Sequence, residues 1–192
     1  MIQINPNLLI TTPIEGGYSW TLTTRLGHIL RSAETQYGKR DPSYTILGIE
    51  FSEDGPQIWY PGNCDNIAIQ LSLDCLNDEV RACYQLAHEC VHLLSPTGAR
   101  NATVLEEGLA TYHSRIYLRE NFALDWSAGI QSYNLACSQV EELLAVDQNA
   151  IKRLREKEPT ISHISADIIV SLYPQFSKDL AQALEQKFTR MG

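Results

Sequence analysis

Apolar residues recur at helical spacing early in the chain. Leu22, Leu26, Ile29, Leu30 and Ala33, with Gly38 as a stop, predict a first helix over roughly 19–37. The period then falls to two. Residues 45–51 place Leu47, Ile49 and Phe51 on one strand face, Ser52-Glu53-Asp54-Gly55-Pro56 has turn chemistry, and residues 57–60 return as a partner strand. After a turn at Pro61-Gly62-Asn63, Ile67, Ile69, Leu71 and Leu73 alternate with Ala68, Gln70 and Ser72, which predicts a half-buried strand over 67–73 with a small, polar outer face. Beyond Asn77-Asp78 the period is helical again, through Val80, Tyr84, Ala87, Val91 and Leu94, until Ser95-Pro96-Thr97-Gly98 ends it. A second helix follows over roughly 104–119. Trp126, Ile130, Tyr133, Cys137, Val140 and Leu144 form a further stripe. Shorter helical segments lie near 149–157 and 164–173, and Ser177 caps a last one. Strands first and helices after give an α+β fold.

Composition narrows the class. The 192 residues, 44% hydrophobic and 20% charged, suit one globular domain over 1–192. Fifteen Lys and Arg against 23 Asp and Glu leave a net charge of −8, and no basic run is present, which argues against a nucleic-acid partner. No stretch reaches the roughly 18 apolar residues of a membrane span, so no membrane partner is expected. Met1-Ile2-Gln3-Ile4-Asn5-Pro6 lacks the basic start and apolar core of an export signal, so a cytoplasmic location is the expectation. The cysteines at 64, 75, 83, 90 and 137 form no Cys-x-x-Cys and no paired framework; reduced, buried thiols are expected.

One cluster carries chemistry. His88-Glu89-Cys90-Val91-His92 lies inside the helix that follows the strands. Residues i and i+4 share a helix face with Cβ atoms roughly 5–6 Å apart, so two imidazoles there can converge on one Zn²⁺. Glu89, next to the first histidine but rotated off the ligand axis, is placed to take a proton from water. Apolar flanks, Leu86-Ala87 and Leu93-Leu94, put this helix in the core, where histidines need partners. Cys90 points away from both ligands and is expected to be a core residue.

Past the turn at Gly98 the chain reads Val104-Leu105-Glu106-Glu107-Gly108-Leu109-Ala110-Thr111-Tyr112. Residues 84–112 resemble the gluzincin group of zinc metallopeptidases, in which His-Glu-x-x-His is followed by a helix whose glutamate, in a Glu-Gly-x-Ala setting, is the third ligand. The order of a β region, an edge-type strand at 67–73 and then the metal helix also resembles the group. The resemblance implies a zincin-like fold, with an N-terminal subdomain over 1–98 holding the active-site helix, and the ligand helix with a C-terminal helical subdomain over 99–192. It implies His88, His92 and Glu107 as zinc ligands and Glu89 as the base. Thr111 stands where the family often has an acidic residue, so the resemblance supplies no partner that orients the histidines. Ser95 and Gly98 depart from the metzincin extension, and Gly98 also from the metal-dependent endoribonuclease pattern.

The two adjacent glutamates separate on local chemistry. Thr103-x-x-Glu106 reads as a capping box, which gives Glu106 a structural task. Glu107 points about 100° further round, on a face of small residues, Gly108, Ala110 and Thr111, that lets this helix approach the one carrying His88. Tyr112, His113, Tyr117, His163 and Tyr173 are the candidates for stabilising an oxyanion, His163 foremost. The expected function is zinc-dependent hydrolysis of peptide bonds in a peptide or protein substrate, with the strand at 67–73 binding an extended peptide by strand addition. The alternative is a zinc-stabilised interaction domain without turnover.

Overall fold

The computed structural model describes residues 3–62, 65–98, 101–127 and 129–191. Asn63 of the second turn and Cys64 lie outside them. A two-rung antiparallel hairpin, β1 (Pro13–Ile14) with β2 (Gly17–Tyr18), precedes helix α1 (Leu22–Tyr37). Three strands follow, β3 (Thr45–Ser52), β4 (Gln57–Trp59) and β5 (Asn66–Ser72), then α2 (Glu79–His92) and α3 (Val104–Phe122). The remainder is helical: α4 (Gln131–Val146), α5 (Ala150–Arg155), α6 (Ala166–Leu172) and α7 (Lys178–Glu185). The architecture is α+β, as the order of periods predicts. No helix among the described residues is long and apolar enough to cross a membrane.

The sheet corrects three expectations. Its order is β3-β5-β4, so the strand expected at an edge is the central one, parallel to β3 and antiparallel to β4. Residues 67–73 therefore have no free edge for a peptide; the edges of the sheet belong to β3 and β4. Nor is β4 the direct partner of β3. The link between them crosses the end of β5, where Gly55 lies so close that a Cβ would stand 2.7 Å from the Leu71 carbonyl carbon. Finally, a bulge breaks the alternation in β3. The register passes from Ile46↔Ile67 to Gly48↔Ala68, with Gly48 at φ 139°, so Leu47 is exposed and Ile46, Ile49 and Phe51 pack on the core.

Helices α2 and α3 sit between two apolar cores. On one side Leu86, Ala87 and Cys90 pack with Ile67, Ile69 and Leu71 of the sheet and Ile29 of α1. On the other, Val91, Leu105 and Leu109 join Val140, Leu154, Ile169 and Leu184 from the C-terminal helices. Cys90 is a core residue, as expected, and the four described cysteines are free and buried. Helix α4 starts later than its stripe suggests. Gly129 at φ 72° precedes it, and Trp126 instead packs edge-on against Tyr84 with ring centroids 4.3 Å apart.

The exit of α2 is fixed by one side chain. Buried Arg155 donates to five carbonyls: Tyr37, Gly38 and Lys39 after α1, Leu94 after α2, and Pro159, at 2.8–3.1 Å. Burial lowers its pKa from the usual arginine value, and the helix-end carbonyls it serves would otherwise lack donors. Arg155→Met should cost about 3 kcal/mol or more, since several buried acceptors lose their partner at once. Chemical denaturation measures this; a loss below about 1 kcal/mol would mean that water replaces the guanidinium.

Candidate metal centre

Helix α2 is built to present its last turn. Asp78 caps it by accepting the Arg81 N–H at 2.9 Å, and Leu93 N–H donates to Glu89 O at 3.1 Å where the helix ends. His88 and His92, four residues apart, project from one face with ring centroids 5.1 Å apart. Helix α3 is capped by Thr103, whose hydroxyl accepts the Glu106 N–H at 3.4 Å, and its first turn delivers Glu106 and Glu107 to those rings. A nitrogen from each histidine and a Glu107 oxygen lie within 4.8 Å of one another. This group could hold a metal ion, and it is the trio expected.

The contacts assign distinct tasks to the two glutamates. His88 Nε2 lies 3.0 Å from Glu107 Oε2, and His92 Nε2 lies 3.8 Å from Glu107 Oε1. His92 Nδ1 is turned the other way and donates to Glu106 Oε1 at 2.8 Å. Glu106 is therefore the partner that orients His92, a candidate ligand, in a carboxylate–histidine arrangement that fixes the tautomer and leaves Nε2 free. The expected capping box forms only in part. Thr103 caps the Glu106 amide, but the Glu106 carboxylate goes to the buried imidazole, where a charge-assisted bond is stronger than one to a backbone amide.

The small-residue face also acts differently from its expected role. A Cβ on Gly108 would stand 2.4 Å from the Ala136 carbonyl oxygen and 2.8 Å from Val140 Cγ2. Gly108 thus admits α4, and not α2, to close approach. One turn before Ala136 on α4 is Tyr133, whose ring meets that of His88 edge-on with centroids 5.7 Å apart.

His88, Glu89, His92, Glu106, Glu107 and Tyr133 line one cleft of about 880 Å³. Its walls are β4 and Tyr60 on one side, the segment before α3, and Lys187, Phe188 and Arg190 near the C-terminus. Glu89 is only 3% exposed, and its carboxylate has no hydrogen-bond partner among the described residues. Burial raises its pKa, against the pull of both histidines. The Tyr133 hydroxyl likewise makes no hydrogen bond to a described residue, and burial together with Glu107 pushes its pKa up to about 12.

None of the five expected oxyanion candidates lines this cleft. Tyr112 packs against the C-terminal core. His113 is buried beside Tyr37, with burial lowering its pKa to about 4. Tyr117 accepts from Arg25 at 3.2 Å, and Tyr173 donates to Asp147 at 2.7 Å. His163 is exposed, because the short turn Ile161–His163 spends its inward positions on Ile161 and Ile164. Tyr133, which none of those expectations named, is the phenol that lines the cleft beside His88. In the sequence it belongs to an apolar stripe, and its one signal is a phenol on a face otherwise of core residues.

Compared with protein-family models, curated proteins and solved structures, the chain finds no match.

Two expectations follow for zinc binding. Glu107→Ala, which removes a ligand, should abolish tight binding, whereas Glu106→Ala should weaken it about 10–100-fold by freeing His92 to rotate. Competitive zinc titration separates them, and equal, small effects would place both glutamates outside the centre. In the metal-free protein burial lowers the His92 pKa, but Glu107, Glu106 and Glu89 outweigh it and raise the value from the usual 6.5 to about 10. A raised folded value means that the stability from protonated His92 is fully present below pH 6.5 and is lost as pH rises through 10. Zinc must displace that proton, so its affinity should climb between those limits by up to about tenfold per unit. Melting curves of metal-free and zinc-loaded protein across this range test the sign; a gap that narrows with rising pH contradicts it.

Proposed function

We propose that the protein is a zinc-dependent peptidase of zincin-like architecture, resembling the gluzincins. The observation that carries this reading is Glu89: a buried carboxylate without a hydrogen-bond partner, opening on a cleft beside a His88–His92–Glu107 group. A site that only stabilises a fold has no use for such a group, since an unpaired buried carboxylate costs stability. That consideration disfavours a non-catalytic zinc domain.

The donor set of two imidazoles and one carboxylate is the set that catalytic zinc uses, three protein ligands with a coordination position left open. Bound there, zinc supplies Lewis acidity, polarising a carbonyl and making water acidic near neutral pH. The chain's own residues do the rest. Glu106 holds His92 in the tautomer that keeps Nε2 free. Glu89, with its pKa raised by burial, accepts the proton of the attacking water and passes it to the leaving amine. Tyr133, beside His88, keeps its proton far above neutral pH and donates to the oxygen of the tetrahedral intermediate. An extended substrate lies along β4, an edge strand whose residues line the cleft, and takes main-chain hydrogen bonds from it.

Glu89→Gln should keep the fold and the zinc while hydrolysis of a responsive peptide falls by about 10²–10⁴-fold. Tyr133→Phe should lower kcat by about 10²–10³-fold with zinc affinity unchanged. A peptide-library screen with the zinc-loaded protein, followed by steady-state kinetics, measures both. Wild-type turnover by Glu89→Gln overturns the mechanism.

A further inference from the structure

The cleft has a charged wall that the metal centre does not use. Residues 186–191 cross beside the start of α3 as a strap whose backbone is pinned at both ends. Val104 N–H donates to Gln186 O and Phe188 N–H to Ala102 O, each at 2.9 Å. At the far end Met191 N–H donates to Ser132 Oγ, and the Ser132 hydroxyl donates back to Met191 O, each at 3.1 Å. Between these anchors Phe188 packs on Tyr133 with ring centroids 4.8 Å apart. The strap is thus a fixed ledge one aromatic ring away from His88.

Lys187 and Arg190 flank Phe188 on this ledge, and both line the cleft. Neither has a carboxylate within ion-pair distance among the described residues. Of the four acidic groups lining the cleft, Glu106 and Glu107 are engaged by imidazoles, Glu89 is buried beside them on α2, and Asp54 lies on the β4 side. In a chain of net charge −8, two exposed cations on one pinned segment of the cleft wall, with no carboxylate partner among the described residues, run against the general charge.

We propose that Lys187 and Arg190 form a carboxylate-recognition subsite, so that the peptide taken by this cleft presents a carboxylate to the strap. The subsite rests on the peptidase reading for its meaning, but not for its detection. The carboxylate is either the peptide's own C-terminus or an Asp or Glu side chain; a guanidinium and an ammonium read both through charge-assisted hydrogen bonds.

The test uses the full-length, zinc-loaded Glu89→Gln protein and fluorescein-labelled Ala-Ala-Phe-Ala-Ala in three forms: the free acid, the amide, and the amide with Asp as its last residue. Fluorescence anisotropy should show at least one carboxylate form binding about tenfold more tightly than the neutral amide. The preference should shrink with added salt and vanish in Lys187→Gln/Arg190→Gln, with zinc content and circular dichroism confirming the fold of that variant. Tight binding of the free acid alone identifies the C-terminal carboxylate; tight binding of the Asp amide as well shows that a side chain suffices. Equal affinities, a preference that survives the double substitution, or no binding by any form overturns the proposal. Wild-type hydrolysis of the same peptides separates the two readings. Preference without hydrolysis overturns the peptidase and leaves the subsite, whereas hydrolysis without preference does the reverse.

Discussion

Three carboxylates and two imidazoles, three of the five groups buried and His92 and Glu107 partly so, meet where α2 crosses α3, and the rest of the molecule is arranged around that fact. Ionised groups leave water only at high cost unless each finds a partner. Glu106 and Glu107 find theirs in His92 and His88, which ties the first turn of α3 to the last turn of α2. With that crossing set, α2 and α3 cannot also be the edge of anything. They become the seam between the sheet-side core and the helical core, and both are buried on most of their circumference. Arg155 closes the same seam from below by holding the carbonyls where α1 and α2 end.

Much of this was legible in sequence because local chemistry determines it. The i, i+4 spacing of His88 and His92 has one geometric outcome in a helix, and Thr103 and Ser177 cap their helices by side-chain bonds that act over three residues. What sequence could not supply depends on long-range competition. Glu106 and Thr103 had a satisfactory local solution in the capping box, and nothing in the residues themselves says that an imidazole from another helix offers a better one. The same holds for the sheet. Alternation at 67–73 says that one face is apolar, but strand order is decided by the crossing at Gly55, which no periodicity encodes. Leu47 fails for a related reason, since a bulge moves one residue out of register without leaving a mark on the alternation.

Gly108 illustrates a residue whose type was read correctly and whose neighbour was not. A small residue beside the third candidate ligand signals close helix approach, and α4 is the helix that arrives. That approach places Tyr133 at His88 and provides the surface on which Phe188 rests. A single missing Cβ on α3 thus sets the position of the phenol and, through it, of the strap that walls the cleft.

Among the described residues, His113 and Glu89 are both buried with an ionisable end that no hydrogen bond satisfies, and their surroundings differ. His113 Nε2 is unpaired within the core. Burial resolves its cost by lowering the pKa to about 4, so that the ring stays neutral. Glu89 carries the more expensive group, because a carboxylate near neutral pH tends to be charged, and the upward shift from burial is opposed by both adjacent histidines. A fold under selection for stability alone gains from an apolar residue of similar volume at such a position. The difference between the two is access. His113 faces protein, while Glu89 faces the cleft, where a proton can arrive and leave. An unpaired carboxyl is useful only where something outside the chain completes its partnership.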